Sequence, residues 1–178
     1  AEHAELAAAA ALREAELARL QVAHDELADT LAGDIARGDV TLRNENGLLA
    51  VDLADQILFP PGSAELSERG REVIRRVAPS LARVEGRIVE VGGHTDDRNL
   101  SGESLERFPT NWELSTARAS NVVRFLQEEC ELAGERLVAA GFSAYRPAAS
   151  NRSARGRSRN RRIELTLRPP PPSRRLRR

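Results

Sequence analysis

Asp96 stands where an alternating polar and apolar run, Arg87-Ile88-Val89-Glu90-Val91, ends in Gly92-Gly93-His94-Thr95-Asp96-Asp97. A carboxylate at the end of a strand can meet a cationic ligand, although an Asp there also caps a turn unaided. His94 beside it has the chemistry of a base or a metal ligand. His3 and His24 lie far up the chain and Cys130 is the single cysteine. No ligand set of zinc spacing forms around His94, and no metal site is expected. Ser101, Ser104 and Ser115 lack a Gly-x-Ser-x-Gly elbow, and no paired-carboxylate, Walker or dinucleotide motif occurs. The chain is therefore read as a non-enzyme with no catalytic residue and no cofactor.

Asn111-x-x-Leu114-Ser115-x-x-Arg118-Ala119 forms a second constellation at the start of a predicted helix. Asn111 precedes the helix, where it can cap or face a ligand, and Ser115 and Arg118 share a face. A cation in the first turns of a helix opposes the macrodipole, which points to a specific anionic partner for Arg118; a solvent-facing Arg is the competing explanation. Residues 146–178 hold twelve Arg and one acid, Glu164. Such a segment can bind a polyanion, but it lacks base-stacking aromatics.

The elements that position these residues follow from periodicity. Residues 1–36 are rich in Ala, Leu, Glu and Arg and predict a helix. Leu6, Ala10, Arg13, Leu17, Leu20, His24, Leu27 and Leu31 fall on a heptad seam. This predicts a stalk that pairs with a second copy, giving a homodimer, or a helix packed on its own domain. Asn44-Glu45-Asn46-Gly47 between two β-prone runs predicts a hairpin. Residues 56–62 read as a strand end and a Pro-Gly turn. Ser67 reads as the N-cap of a helix carrying Val73, Ile74, Val77 and Leu81, with Pro79 disturbing its last turn. Residues 97–110 read as a loop and about 113–133 as a helix. Residues 136–140 read as a short strand, 150–159 as a short helix or irregular segment, and 163–167 as a last strand. Pro169 to Pro172 end it, and a disordered tail is expected over 169–178. The order, a helix, a hairpin, then β-α-β-α-β, predicts an α+β domain over 37–168 with helices on one sheet.

Composition bounds the rest. The 178 residues carry 27 Lys+Arg and 27 Asp+Glu, a net charge of zero. That gives no argument for a nucleic-acid partner. No apolar run is long enough to span a bilayer. The chain starts at Ala1 and contains no Met, so it reads as a piece of a longer protein whose upstream residues would supply a membrane attachment.

Gly93-His94-Thr95-Asp96, Asn111-x-x-Leu114-Ser115-x-x-Arg118-Ala119 and Gly141-Phe142…Pro147…Asn151…Gly156-Arg157…Asn160-Arg161-Arg162-Ile163-Glu164 together resemble the OmpA-like C-terminal domain family over about residues 50–168. Phe59-Pro60-Pro61-Gly62-Ser63-Ala64 resembles its entry segment. Phe108-Pro109-Thr110-Asn111-Trp112-Glu113-Leu114-Ser115 resembles MotB-type members in particular. The resemblance implies an OmpA-like mixed sheet that binds peptidoglycan without cleaving it, through the free end of meso-diaminopimelate in the stem peptide. It places the ligand-binding Asp on Asp96, the Arg on Arg118 and the Asn on Asn111, with Thr95, Asn160 and Arg161 in the same motifs. A carboxylate and a guanidinium match the ammonium and carboxylate of that ligand. The implied role is to anchor a membrane-attached protein to the wall in the periplasm of a Gram-negative bacterium. The alternative is a polyanion or nucleic-acid-binding module using the Arg-rich C-terminal segment.

Overall fold

The structure, a computed structural model, describes residues 2–171. Helix α1 covers Glu2–Thr30 and a short α2 Ala32–Ala36. Strands β1 (Val40–Glu45) and β2 (Leu48–Ala54) form the hairpin. Asn46 and Gly47 turn it with φ of 54° and 73°, the pair of positive values that a two-residue turn between twisted strands requires. A one-turn helix α3 (Asp55–Leu58) follows where a strand end was expected, and then α4 (Glu68–Arg83). The Ser67 hydroxyl accepts from the Gly70 amide at 2.9 Å, the expected cap. Helix α4 runs through Pro79 to Arg83, its buried face of Val73, Ile74, Val77 and Leu81 holding it against the core.

Strand β3 (Ile88–His94) leads to a short α5 (Glu103–Arg107) inside the expected loop, and then to α6 (Asn111–Glu128). Strand β4 (Leu137–Gly141), α7 (Ala154–Asn160) and β5 (Arg162–Arg168) complete the chain. Residues 169–171 carry no regular structure, and residues 172–178 of the expected tail lie outside the described residues.

The architecture is α+β. One five-stranded sheet has the order β1-β2-β5-β3-β4. Only the β3–β4 pairing is parallel; β5 is antiparallel to both β2 and β3. Register places Val51 and Val91 on either side of Leu165, and Leu49 and Val89 on either side of Leu167. These residues alternate with polar ones, so one sheet face is apolar and carries the helices. The other face is an ionic ladder: Arg43 bridges Asp52 at 3.1 Å and Glu164 at 3.0 Å, and Arg162 meets Glu164 at 3.3 Å.

Two packing features are not fixed by spacing alone. Leu20, Ala23, Leu27 and Leu31 of the first helical segment are buried in the same core as the sheet, while residues 3–19 are exposed throughout. The seam from Leu20 onward thus packs on β1, β2 and α4 of its own domain, one of the two arrangements that the heptad spacing allows. The second feature is the close seat of α6. Gly93 and Gly141 are register partners on β3 and β4. A Cβ on Gly93 would stand 2.1 Å from the Ser115 carbonyl oxygen, and one on Gly141 would stand 2.8 Å from the Thr116 amide nitrogen. Only glycine lets the first turns of the helix lie directly on the strands.

Removing residues 1–15, upstream of the Glu16 carboxylate that pairs with the buried Arg87 at 2.8 Å, should leave the urea midpoint nearly unchanged. Removing 1–31 uncovers the core and should lower stability by several kcal/mol, since each buried Leu side chain contributes about 1.5–3 kcal/mol. Gly93→Ala must push α6 off the sheet and should destabilise by about 1–3 kcal/mol, read by chemical denaturation.

Candidate functional site

The expected residues converge at the end of β3. The Thr95 amide donates to the Ser143 carbonyl at 2.9 Å, which ties the turn to the loop after β4. The Thr95 hydroxyl donates to the Asp96 carbonyl at 2.9 Å. Asp96 Oδ1 accepts the Arg98 amide at 3.0 Å, and Oδ2 meets Arg161 Nη1 at 2.6 Å. The residue is buried except for a narrow exposed edge of 7%.

Thr110, not Asn111, caps α6: its hydroxyl accepts from the Trp112 amide, and Glu113 reaches back to the Thr110 amide. This capping box frees Asn111. The Asn111 amide turns to the Asp96 turn and donates to the Arg98 carbonyl at 2.9 Å and the Asp96 carbonyl at 3.5 Å. Asn111 therefore holds the shape of the loop carrying the acid.

Arg118 is buried, not solvent-facing. Its Nε donates to the Ser63 carbonyl at 2.9 Å, its Nη1 meets Asp55 Oδ1 at 2.5 Å, and its guanidinium carbon lies 4.7 Å from the centre of the Phe59 ring. The anion implied by the helix dipole is present, and it is Asp55. Burial pushes the Asp55 carboxyl above its ordinary range, while the charges of Arg118 and Arg161 pull it back and that of Asp96 raises it further. Burial also lowers the Arg118 guanidinium, against the pull of Asp55. Asp55, Arg118, Asp96 and Arg161 thus form one neutral cluster of two acids and two bases. Nη2 of Arg118 has no protein partner among the described residues.

Asp55 does not emerge from the sequence alone. Its only signal in the sequence is the demand of Arg118 for an anion, which does not say which acid meets it. Asn160 stands apart from the cluster. It is fully buried; its Oδ1 accepts the amides of Ala148 and Ala149, and its Nδ2 donates to the Ala149 carbonyl and Asn151 Oδ1. All its polar groups are engaged in holding residues 148–151 to the end of α7, directly before Arg161.

His94 neighbours the site from the opposite sheet face. It stacks on Phe142 with ring centres 5.0 Å apart, and neither ring nitrogen has a hydrogen-bond partner. Burial, then the positive charge of Arg162, lowers its pKa to about 4, against the opposing pull of Glu164. It is a neutral packing residue at physiological pH.

The OmpA family pattern matches residues 58–161. Motility protein B of Bacillus subtilis (strain 168) is 33% identical over 129 residues, which is 72% of this chain and 48% of that protein. The crystal structure of a MotB-like protein from Desulfovibrio vulgaris aligns with a TM-score of 0.78 and 26% identity, covering 90% of this chain and 97% of that one. The structure of the cell wall anchor of the T6SS from Pseudomonas aeruginosa aligns with a TM-score of 0.72 and 36% identity, covering 83% and 99%. The chain spans about half the length of the curated relatives it matches.

The His94 environment sets a pH dependence. The unfolded ring takes a proton near its reference pKa of 6.5, the folded ring only near 4. Its stabilising contribution is complete above 6.5 and is lost as pH falls through the window down to about 4, at up to roughly 1.4 kcal/mol per pH unit. His94→Gln should flatten this part of the stability profile, measured by urea denaturation at pH 7, 6, 5 and 4.5.

Proposed function

This chain belongs to the OmpA family, and from that premise we propose that it binds peptidoglycan without cleaving it, through the free end of meso-diaminopimelate in a stem peptide. The observation that carries the reading is the neutral cluster of Asp55, Arg118, Asp96 and Arg161. A ligand end with an ammonium and a carboxylate on one carbon has the same alternation of charge. It can exchange into the cluster without leaving a net charge buried.

In this reading Asp96 receives the ammonium, displacing Arg161. Arg118, oriented by the Ser63 carbonyl and Asp55, offers its remaining N–H groups to the carboxylate. Thr95 and Asn111 keep the Asp96 turn in shape, and Asn160 sets the start of β5 so that Arg161 reaches the acid. One such site is weak; many sites along a polymer give firm attachment. The structural relative named as a cell wall anchor supports the same role. The whole protein would then hold a membrane-attached assembly to the wall in the periplasm, with the exposed part of α1 as its spacer.

The polyanion reading has less to draw on. Within residues 146–168, Arg157 donates to the Asn151 carbonyl, and Arg161, Arg162 and Arg168 pair with Asp96, Glu164 and Glu90. These cations serve the fold and the site.

Calorimetric titration with three stem peptides tests the proposal. The diaminopimelate form should bind about ten-fold tighter than the Lys form or the amidated form. The difference is modest because Asp55 remains to satisfy Arg118 when the ligand carboxylate is missing. Asp96→Asn should lower retention on purified sacculi several-fold; it also leaves Arg161 without its acid and should lower the melting temperature by a few degrees. Equal affinity for all three peptides would overturn the assigned role of Arg118, and undiminished retention that of Asp96.

A further inference from the structure

The chain has one Trp and one Tyr. Neither is in the core: Trp112 is 47% and Tyr145 74% exposed. They lie against each other, ring centres 5.4 Å apart and planes at 22°. They come from elements 33 positions apart, the first turn of α6 and the loop after β4.

The pair adjoins the charge cluster through a chain of hydrogen bonds. The Ser115 hydroxyl donates to the Trp112 carbonyl at 3.1 Å and accepts the Ser143 amide at 3.1 Å. Ser143 in turn accepts the Thr95 amide. Trp112 directly follows Asn111, whose side chain holds the Asp96 turn. Tyr145 is held by its amide, which donates to the Phe142 carbonyl at 3.2 Å.

We propose that the Trp112–Tyr145 stack is a saccharide platform that receives a pyranose ring of the glycan strand while the cluster holds the stem peptide. This inference rests on the peptidoglycan reading above and extends it to the sugar. The negative faces of aromatic rings attract the weakly positive axial C–H groups of a pyranose. Stacking leaves the outer face of the largely exposed Tyr145 ring open as a flat apolar surface, backed by Trp112. Size argues against a protein on this patch: two rings bury at most a few hundred Å², well below the roughly 1,200 Å² of a stable protein interface.

The test compares two probes on the full chain: the free diaminopimelate tetrapeptide and the same peptide carried on its disaccharide. Trp112, the only tryptophan, reports binding through its own emission. The disaccharide form should bind about five-fold tighter and shift Trp112 emission more than the free peptide does. Tyr145→Ala should bring the two affinities together while leaving free-peptide affinity and thermal stability unchanged, and Tyr145→Phe should preserve the difference. Equal affinity of the unmodified chain for both probes would overturn the platform and leave the stem-peptide reading standing. A Tyr145→Ala loss shared equally by both probes would overturn it too, making the rings supports of the acid turn. Failure of both probes to bind at all would overturn the underlying reading and the platform with it.

Discussion

The site depends on how closely α6 lies on β3 and β4. Gly93 and Gly141 stand side by side in register, and neither leaves room for a methyl group beneath Ser115 and Thr116. That contact brings the first turns of the helix to the strand ends. Asn111 then reaches the Asp96 turn, and Ser115 links the helix to the loop after β4. A helix packed at the usual distance over side chains would stand several ångström higher. The glycines are thus positioning elements for groups that they do not touch.

The electrostatics follow from that geometry. Bringing two acids and two bases together in a largely buried place is tolerable only because the charges alternate. The cluster rests in a paired state, with Arg161 on Asp96 and Asp55 on Arg118. On the proposed reading, Arg161 occupies the place that the ligand ammonium would take, while Asp55 stays on Arg118. On that reading Arg161 is a stand-in for the ammonium, which keeps the acid turn shaped before a ligand arrives and weakens the ligand's net hold.

The hairpin, α4, β3, α6 and β5 were legible because each shows a period, a cap or a turn signal of its own. The short helices α3 and α5 were not, since one turn is too brief to display a period. The Leu seam of the first helix was correctly apolar, but a seam has the same spacing whether it meets another copy or its own sheet. Only the folded core shows Leu20, Leu27 and Leu31 turned inward. Asp96, Arg118 and Asn111 were legible as motif residues, and the anion demanded by Arg118 was legible as a conflict with the helix dipole. Asp55 as its identity was not, because 63 positions separate the two residues and no local pattern joins them. The contact of Trp112 with Tyr145 was hidden for the same reason.

The two halves of α1 differ in what tethers them. From Leu20 to Leu31 the helix is docked by side chains alone, whereas each strand of the sheet is also stitched by backbone hydrogen bonds. A pull applied at the start of α1 would reach this side-chain seam first. Its contacts can give way turn by turn, while hydrogen bonds of a strand loaded lengthwise must yield together. Under tension the helix would peel away and lengthen the tether before load reached the strands that hold Asp96 and Arg161. The domain contains a built-in yield point, and it lies at the end of the chain away from Asp96 and Arg161.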